Sequence, residues 1–409
     1  MPRIIKKEST KKQKAITYVT GIGASVLFII ILILCLGKGL GETFEILGDM
    51  FVGMKMFRNV LNLAVPLTIA ALGLAVCYKM KFYNIGGEGQ IIAGAVAACA
   101  VARVMEGKNQ FLTLAIMFIC ALIAGGIFSL ITGLLKVYFN ANEVIITLMF
   151  NYIALVFAEL LQSTYWREGA FVSVRSLTDN ARLSNLPISL MLIIFLIEML
   201  IYNIIKYLRA KKIKLFSREH KKFPFDVKHT VTFSLLIVLS ILCLIVIPNK
   251  LEASVALFFL LVVYIVVDIF LTQTKKGFEI AVIGESTNTA IYSGMSVGKT
   301  TIIVTFVSGA ILGLAGFIKL AGINYQFSPS ITSGIGFTAV IIAWLANLKN
   351  GRIVVIGFMY AFLYQGIKFV ETSGVNTSAA DIILGMILFV ALTCEFFNRY
   401  KIVGGTKDA

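Results

Sequence analysis

Five acidic residues, Glu88, Glu159, Glu198, Asp268 and Glu395, fall inside long apolar runs of this sequence. A carboxylate is costly in hydrocarbon, so each one marks by default a pathway, a proton relay or a buried pair. Asp268 has no second aspartate deep within an apolar run to form an acid dyad. The two histidines, His220 and His229, share one basic loop. Serine–base catalysis and paired-histidine metal chemistry therefore lack their parts. Six cysteines (Cys35, Cys77, Cys99, Cys120, Cys243 and Cys394) lie in or beside apolar runs and form no CxxC pair. Neither a disulfide framework nor a zinc site is indicated. The stretch Gly294–Thr300 (GMSVGKT) imitates a phosphate loop but has three intervening residues where that motif needs four. No catalytic residue, no metal set and no directly bound cofactor is expected.

Glu88 differs from the other acids in its neighbours. The run Asn84-Ile-Gly-Gly-Glu-Gly-Gln90 puts three glycines and three polar side chains where an apolar span begins. Glycine is a poor helix former, and free backbone groups cannot face lipid, so the run reads as a broken helix lining a cavity. A tight helix crossing without solute contact fits equally well. Glu88 in the first turn would lie near unpaired backbone N–H groups, which favour a negative charge. A second break, Ser333-Gly-Ile-Gly-Phe337, opens a later short span.

The elements that carry these residues follow from composition. Of 409 residues, 58% are hydrophobic and 14% charged, with a mean hydropathy of +0.91. A soluble globule carries about a quarter charged residues, and about 20 apolar residues span a bilayer. The sequence therefore reads as an all-α polytopic membrane protein with about twelve transmembrane helices. They are placed at 16–36, 59–77, 84–104, 111–136, 143–162, 188–208, 230–247, 252–272, 299–319, 334–347, 351–370 and 380–398. The stretch 334–347 is too short to cross untilted and reads as a half-helix or re-entrant segment. Spans 2–5 and 9–12 fit inverted repeats, each with a glycine-broken second member.

Residues 1–15 form a basic leader, 16–398 the transmembrane domain and 399–409 a tail. With the leader inside, 26 of the 37 Lys and Arg residues fall on the cytoplasmic side. The positive-inside rule then places both ends in the cytoplasm. The net charge of +16 thus reports topology rather than nucleic-acid binding. Two inside loops stand out: the basic 206–229, which reads as a lipid-facing stop-transfer loop, and the amphipathic 274–300, suited to a soluble partner or the membrane surface.

Five segments in order resemble the permease subunits of bacterial ABC importers. They are FYNIGGEGQ, ANEVIITLMFNYIA, GFEIAVIGESTNTAIYSGM, SGAILGLAGFIKLAG and SGIGFTAVIIAWLA. The nucleoside and simple-sugar branch, related to the ribose and branched-chain amino acid permeases, matches best. The resemblance implies a ten-helix core between about 59 and 398, with residues 188–247 as a two-helix insert. It also implies that loop 274–300 holds a coupling helix for an ATP-binding subunit. Gly284, Glu285, Asn288, Ala290, Tyr292 and Gly294 are its contact residues, with Ala290 and Gly294 small enough for close docking. Asn84, Glu88, Gln90, Asn142, Glu143, Asn151 and Phe337 are the translocation-pathway candidates.

The implied activity is ATP-driven import of nucleosides across the bacterial cytoplasmic membrane, with ATP on the partner subunit. A second related permease and an extracytoplasmic substrate-binding lipoprotein complete the implied complex. A simple sugar is the alternative solute. An ion-coupled secondary transporter is the alternative class, and it would need central acids such as Glu88 and Glu159.

Overall fold

The computed structural model describes residues 54–168, 172–187, 252–372 and 377–403, with Arg3–Lys6 and isolated positions between 13 and 41. Among these, six helices are long and apolar enough to cross a membrane. The expected spans 188–208 and 230–247, the basic loop 206–229 and most of 16–36 lie outside the described residues, as does Glu198.

The helices are α1 (Met54–Lys79), α2 (Gly87–Val104), α3 (Gln110–Phe139), α4 (Glu143–Leu160) and α5 (Ala256–Gln273). Two shorter helices, α6 (Lys275–Glu285) and α7 (Thr287–Tyr292), precede the long α8 (Val297–Lys319). Then come α9 (Ile335–Leu345), α10 (Asn350–Thr372) and α11 (Thr377–Arg399). Both α4 and α8 widen at their ends into a π-turn, closed by Trp166 N–H to Leu161 O at 2.8 Å and Tyr325 N–H to Leu320 O at 2.9 Å. The eleven residues of α9 reach about 16 Å at 1.5 Å per residue, half of a hydrocarbon core. The half-helix expected at 334–347 is therefore present.

The chain divides into two compact units, Leu61–Gly357 and the pair Met1–Val60 with Phe358–Ala409. In the larger unit, α2, α3 and α8 pack through glycine. A Cβ at Gly94 would collide with the Gly313 backbone, and one at Gly125 with Gly309 O. Small residues let membrane helices approach this closely, where van der Waals contact replaces the missing hydrophobic drive. Leu67, Ile69, Leu72 and Leu74 of α1 are fully buried. By contrast α3 and α4 present Ile123, Ile127, Met149, Tyr152 and Val156 outward.

Two short antiparallel ladders accompany the helices. In the smaller unit β1 (Arg3–Lys6) pairs with β4 (Tyr400–Val403). In the larger unit β2 (Asn185–Pro187) pairs with β3 (Glu252–Ser254), and Pro187 faces Glu252.

Candidate functional site

The site is built around the two glycine breaks. Residues 82–86 are non-helical, and α2 begins at Gly87 rather than at 84. Asn84 turns back on the break: its Oδ1 accepts from Gly86 N–H at 2.9 Å and from Gln90 Nε2 at 3.1 Å, while its Nδ2 donates to Gln90 Oε1 at 3.1 Å. Tyr78 Oη donates to Asn84 O at 2.7 Å. From α4, Asn151 Oδ1 accepts from Gly89 N–H at 2.8 Å and its Nδ2 donates to Ile85 O at 3.0 Å. Thr147 Oγ1 accepts from Ile85 N–H at 3.1 Å. Buried backbone groups must find partners, and here side chains supply them where the helix ladder has not begun.

The second break holds a 3₁₀ turn at Pro329–Thr332, followed by Ser333 at φ 48° and Gly334 at φ 79°. These two left-handed residues turn the chain into α9. Glu88 then bridges the breaks: Oε1 accepts from Gly334 N–H at 3.0 Å and Oε2 from Gly336 N–H at 2.7 Å. The expectation that Glu88 serves its own helix is corrected. The N–H groups of Ile85, Gly86 and Gly89 go to Thr147, Asn84 and Asn151, and the carboxylate caps α9 instead. A helix N-terminus carries about half a positive charge, so one carboxylate between two such ends stabilises both. Gly336 is needed at the contact, because a Cβ there would collide with Glu88 N.

Asn84, Glu88, Gln90 and Asn151 are therefore brought together. Asn142 and Glu143 are not. Asn142 Oδ1 caps α4 by accepting from Val144 N–H at 3.0 Å, and Glu143 pairs with Lys136 Nζ at 2.7 Å. Phe337, 43% exposed, projects from the first turn of α9. Glu159 is exposed near the end of α4. Thr147 was the residue that sequence reasoning missed. Its spacing of four from Asn151 puts two polar side chains on one face of an apolar helix, and that was the available signal.

The amphipathic loop 274–300 folds as α6 and α7. Thr274 Oγ1 caps α6 by accepting from Gly277 N–H at 3.0 Å, and Ser286 Oγ caps α7 by accepting from Thr289 N–H at 3.3 Å. Ile280, Ile283 and Ala290 turn inward. Ala290 is 0% exposed, and a Cβ on Gly284 would collide with Lys79 O. These two residues pack on their own chain, so their smallness serves that packing and not docking. Gly294 sits at φ 73° with open space around it, and so ends α7 in a conformation few other residues adopt. The outward face consists of Glu285, Asn288, Ile291 and Tyr292, with Tyr292 92% exposed.

Behind α6, Glu279 accepts from Lys276 Nζ at 2.6 Å and from Thr300 Oγ1 at 2.8 Å. The Lys276 contact, then that of Thr300, holds its carboxyl below the ordinary range. Thr300 of the phosphate-loop imitation is thus committed to a carboxylate.

With this geometry in place, comparison with known proteins gives the family. Residues 56–392 match the family model described as the permease component of branched-chain amino acid transport systems. That match covers most of the chain. This chain belongs to that permease family. Relatives include a glucose ABC transporter permease of Haloferax volcanii, 28% identical over 84% of this chain and 78% of its own length. A guanosine ABC transporter permease of Bacillus subtilis is 25% identical over 92% of this chain and 91% of its own. A nucleoside ABC transporter permease of Lactococcus lactis is 22% identical over 79% and 75%. No solved structure matches the chain. The permease is a multi-pass membrane subunit of an ABC transporter, and ATP hydrolysis belongs to its ATP-binding subunit. That membership removes the need for an ion-coupled mechanism.

Proposed function

We propose that this permease carries nucleosides inward across the bacterial cytoplasmic membrane, driven by ATP bound on its partner subunit. One observation carries the choice of solute: the guanosine permease matches across nine-tenths of both chains. The pathway chemistry agrees. Amide and aromatic groups surround the break, and Glu88 is already spent on two backbone donors, which suits an uncharged solute rich in hydroxyls and ring nitrogens. A simple sugar is the second reading, favoured by the glucose permease, the relative with the higher identity.

In this reading the two breaks move as one braced unit, because the Glu88 clamp ties α2 to α9. Asn84, Gln90 and Asn151 hold the break in shape at the edge of the pathway. The outward face of α7, with Glu285, Asn288 and Tyr292, seats in the ATP-binding subunit and transmits its closure. Twelve spans, with 188–247 as an insert and both ends in the cytoplasm, complete the topology. Spans 2–5 and 9–12 act as inverted repeats, and the Glu88 clamp between their second members supports that pairing. A second permease and a solute-delivering lipoprotein complete the complex. Co-expression with the neighbouring ATP-binding subunit tests the reading: the two should copurify, and guanosine with its binding protein should stimulate ATP hydrolysis. Copurification with stimulation by glucose alone would transfer the proposal to sugars.

A further inference from the structure

A cavity of about 800 Å³ opens where α1, α5, α9 and α10 end or begin, and its wall includes Lys79, Lys81, Lys349, Tyr83, Trp344 and Asn350. Its charge is unbalanced. Asp268, also in the wall, attracts Lys79 and accepts from Asn350 Nδ2 at 3.1 Å. Lys81 and Lys349 form no ion pair among the described residues and are exposed. Beyond Lys79 and Asp268, two lysines with no ion pair thus line the same opening.

The cavity also has a fixed aromatic wall. Trp344 stacks on Tyr78 with ring centroids 5.6 Å apart and lies 6.1 Å from Tyr83. Tyr78 is buried and tied to Asn84 O, so it backs the pair, while Trp344 remains 39% exposed. Such a platform takes a planar ring by stacking.

Two further observations set this wall apart. Lys81, Asn347 and Leu348 all line it at positive φ (61°, 55° and 55°). L-residues seldom adopt that region, and where the surroundings hold them there they gather at ligand sites and switches. Asn350 is 6% exposed, and its Oδ1 has no hydrogen-bond partner among the described residues. An unmet acceptor at the wall is a place for a ligand donor or an ordered water.

We propose that this cavity binds a nucleoside phosphate, with the base on the Trp344–Tyr83 platform and the phosphate between Lys81 and Lys349. The size agrees, since small-ligand sites run from about 300 to 1,000 Å³. A lipid headgroup shares the phosphate but brings no ring to stack. An uncharged nucleoside shares the ring but leaves both ammonium groups unmet. The site is independent of the transported solute, so a sugar permease would bind the same ligand.

The chain offers its own reporter. It has two tryptophans, and Trp166→Phe leaves Trp344 alone. The full chain, carrying that change in phosphatidylcholine nanodiscs, is titrated with GMP, with quenching corrected for absorption. Saturable quenching is expected, guanosine at equal concentration should give little, and Lys81→Gln with Lys349→Gln should raise the midpoint about tenfold. Equal quenching by guanosine, or a midpoint unmoved by the lysine changes, would overturn the site. So would loss of the GMP response when phosphatidylglycerol is added, which would make lipid the occupant. Should the lysine variant fail to fold, equilibrium dialysis of labelled GMP against Trp344→Ala decides: about tenfold weaker binding supports the site, and unchanged binding overturns it.

Discussion

Removing the Glu88 carboxylate should loosen both breaks at once. In Glu88→Ala the N–H groups of Gly334 and Gly336 lose acceptors at 3.0 and 2.7 Å. Hydrogen bonds to a charged group contribute about 1.5–3 kcal/mol each. Partial exposure of Glu88 argues for the lower end, so the alanine variant should lose about 3 kcal/mol locally. Glu88→Gln keeps one carbonyl oxygen but sets an amide N–H against the second donor. It should lose about half as much. The assay is paired: thermal stability of the solubilised complex, and uptake at several pH values. The expected order in both is wild type, then Gln, then Ala, with uptake indifferent to an imposed proton gradient. Alanine and glutamine variants as stable as wild type would refute the clamp. A glutamine variant as inactive as alanine, with wild-type uptake following the gradient, would replace it with proton coupling.

Gly94→Leu should prevent assembly of the α2–α3–α8 core, because the Gly313 backbone already occupies the space of a Cβ; the check is yield of folded, monodisperse protein. Tyr292→Ala removes the most exposed aromatic of α7 and should uncouple solute-stimulated ATP hydrolysis while the permease itself stays folded; retained coupling would exclude α7 as the docking element. Glu279 has a folded pKa below its unfolded one, so its stabilisation is present above the ordinary glutamate range and is lost as pH falls through the lowered value. Glu279→Gln should therefore melt lower at neutral pH and show a flatter acid limb in thermal scans.

The sequence made both breaks legible because glycine clusters contradict their apolar surroundings. It also put Asn84, Glu88, Gln90 and Asn151 in one functional list, and these four do converge. The partner of Glu88 was not legible, because Gly334 lies 246 residues away and local helix rules favour the nearer donors. Asn142 and Glu143 were drawn into the pathway by polarity alone, where a cap and an ion pair use them up. Ala290 reads in the sequence as a docking residue because its size suits either side of a helix. Six residues of α7 give too little periodicity to tell inward from outward. The lysines of the α1–α9 cavity each looked like ordinary positive-inside charges, and only the fold gathers them beside Trp344.

The most direct measurement of the transport claim is uptake of labelled guanosine into proteoliposomes. These would hold the permease, its partner permease and the ATP-binding subunit, with the binding protein supplied on the opposite face. Guanosine should accumulate only with ATP on the nucleotide-binding face, and excess unlabelled glucose should leave the rate unchanged. Accumulation without ATP, or labelled glucose entering in place of guanosine, would contradict it.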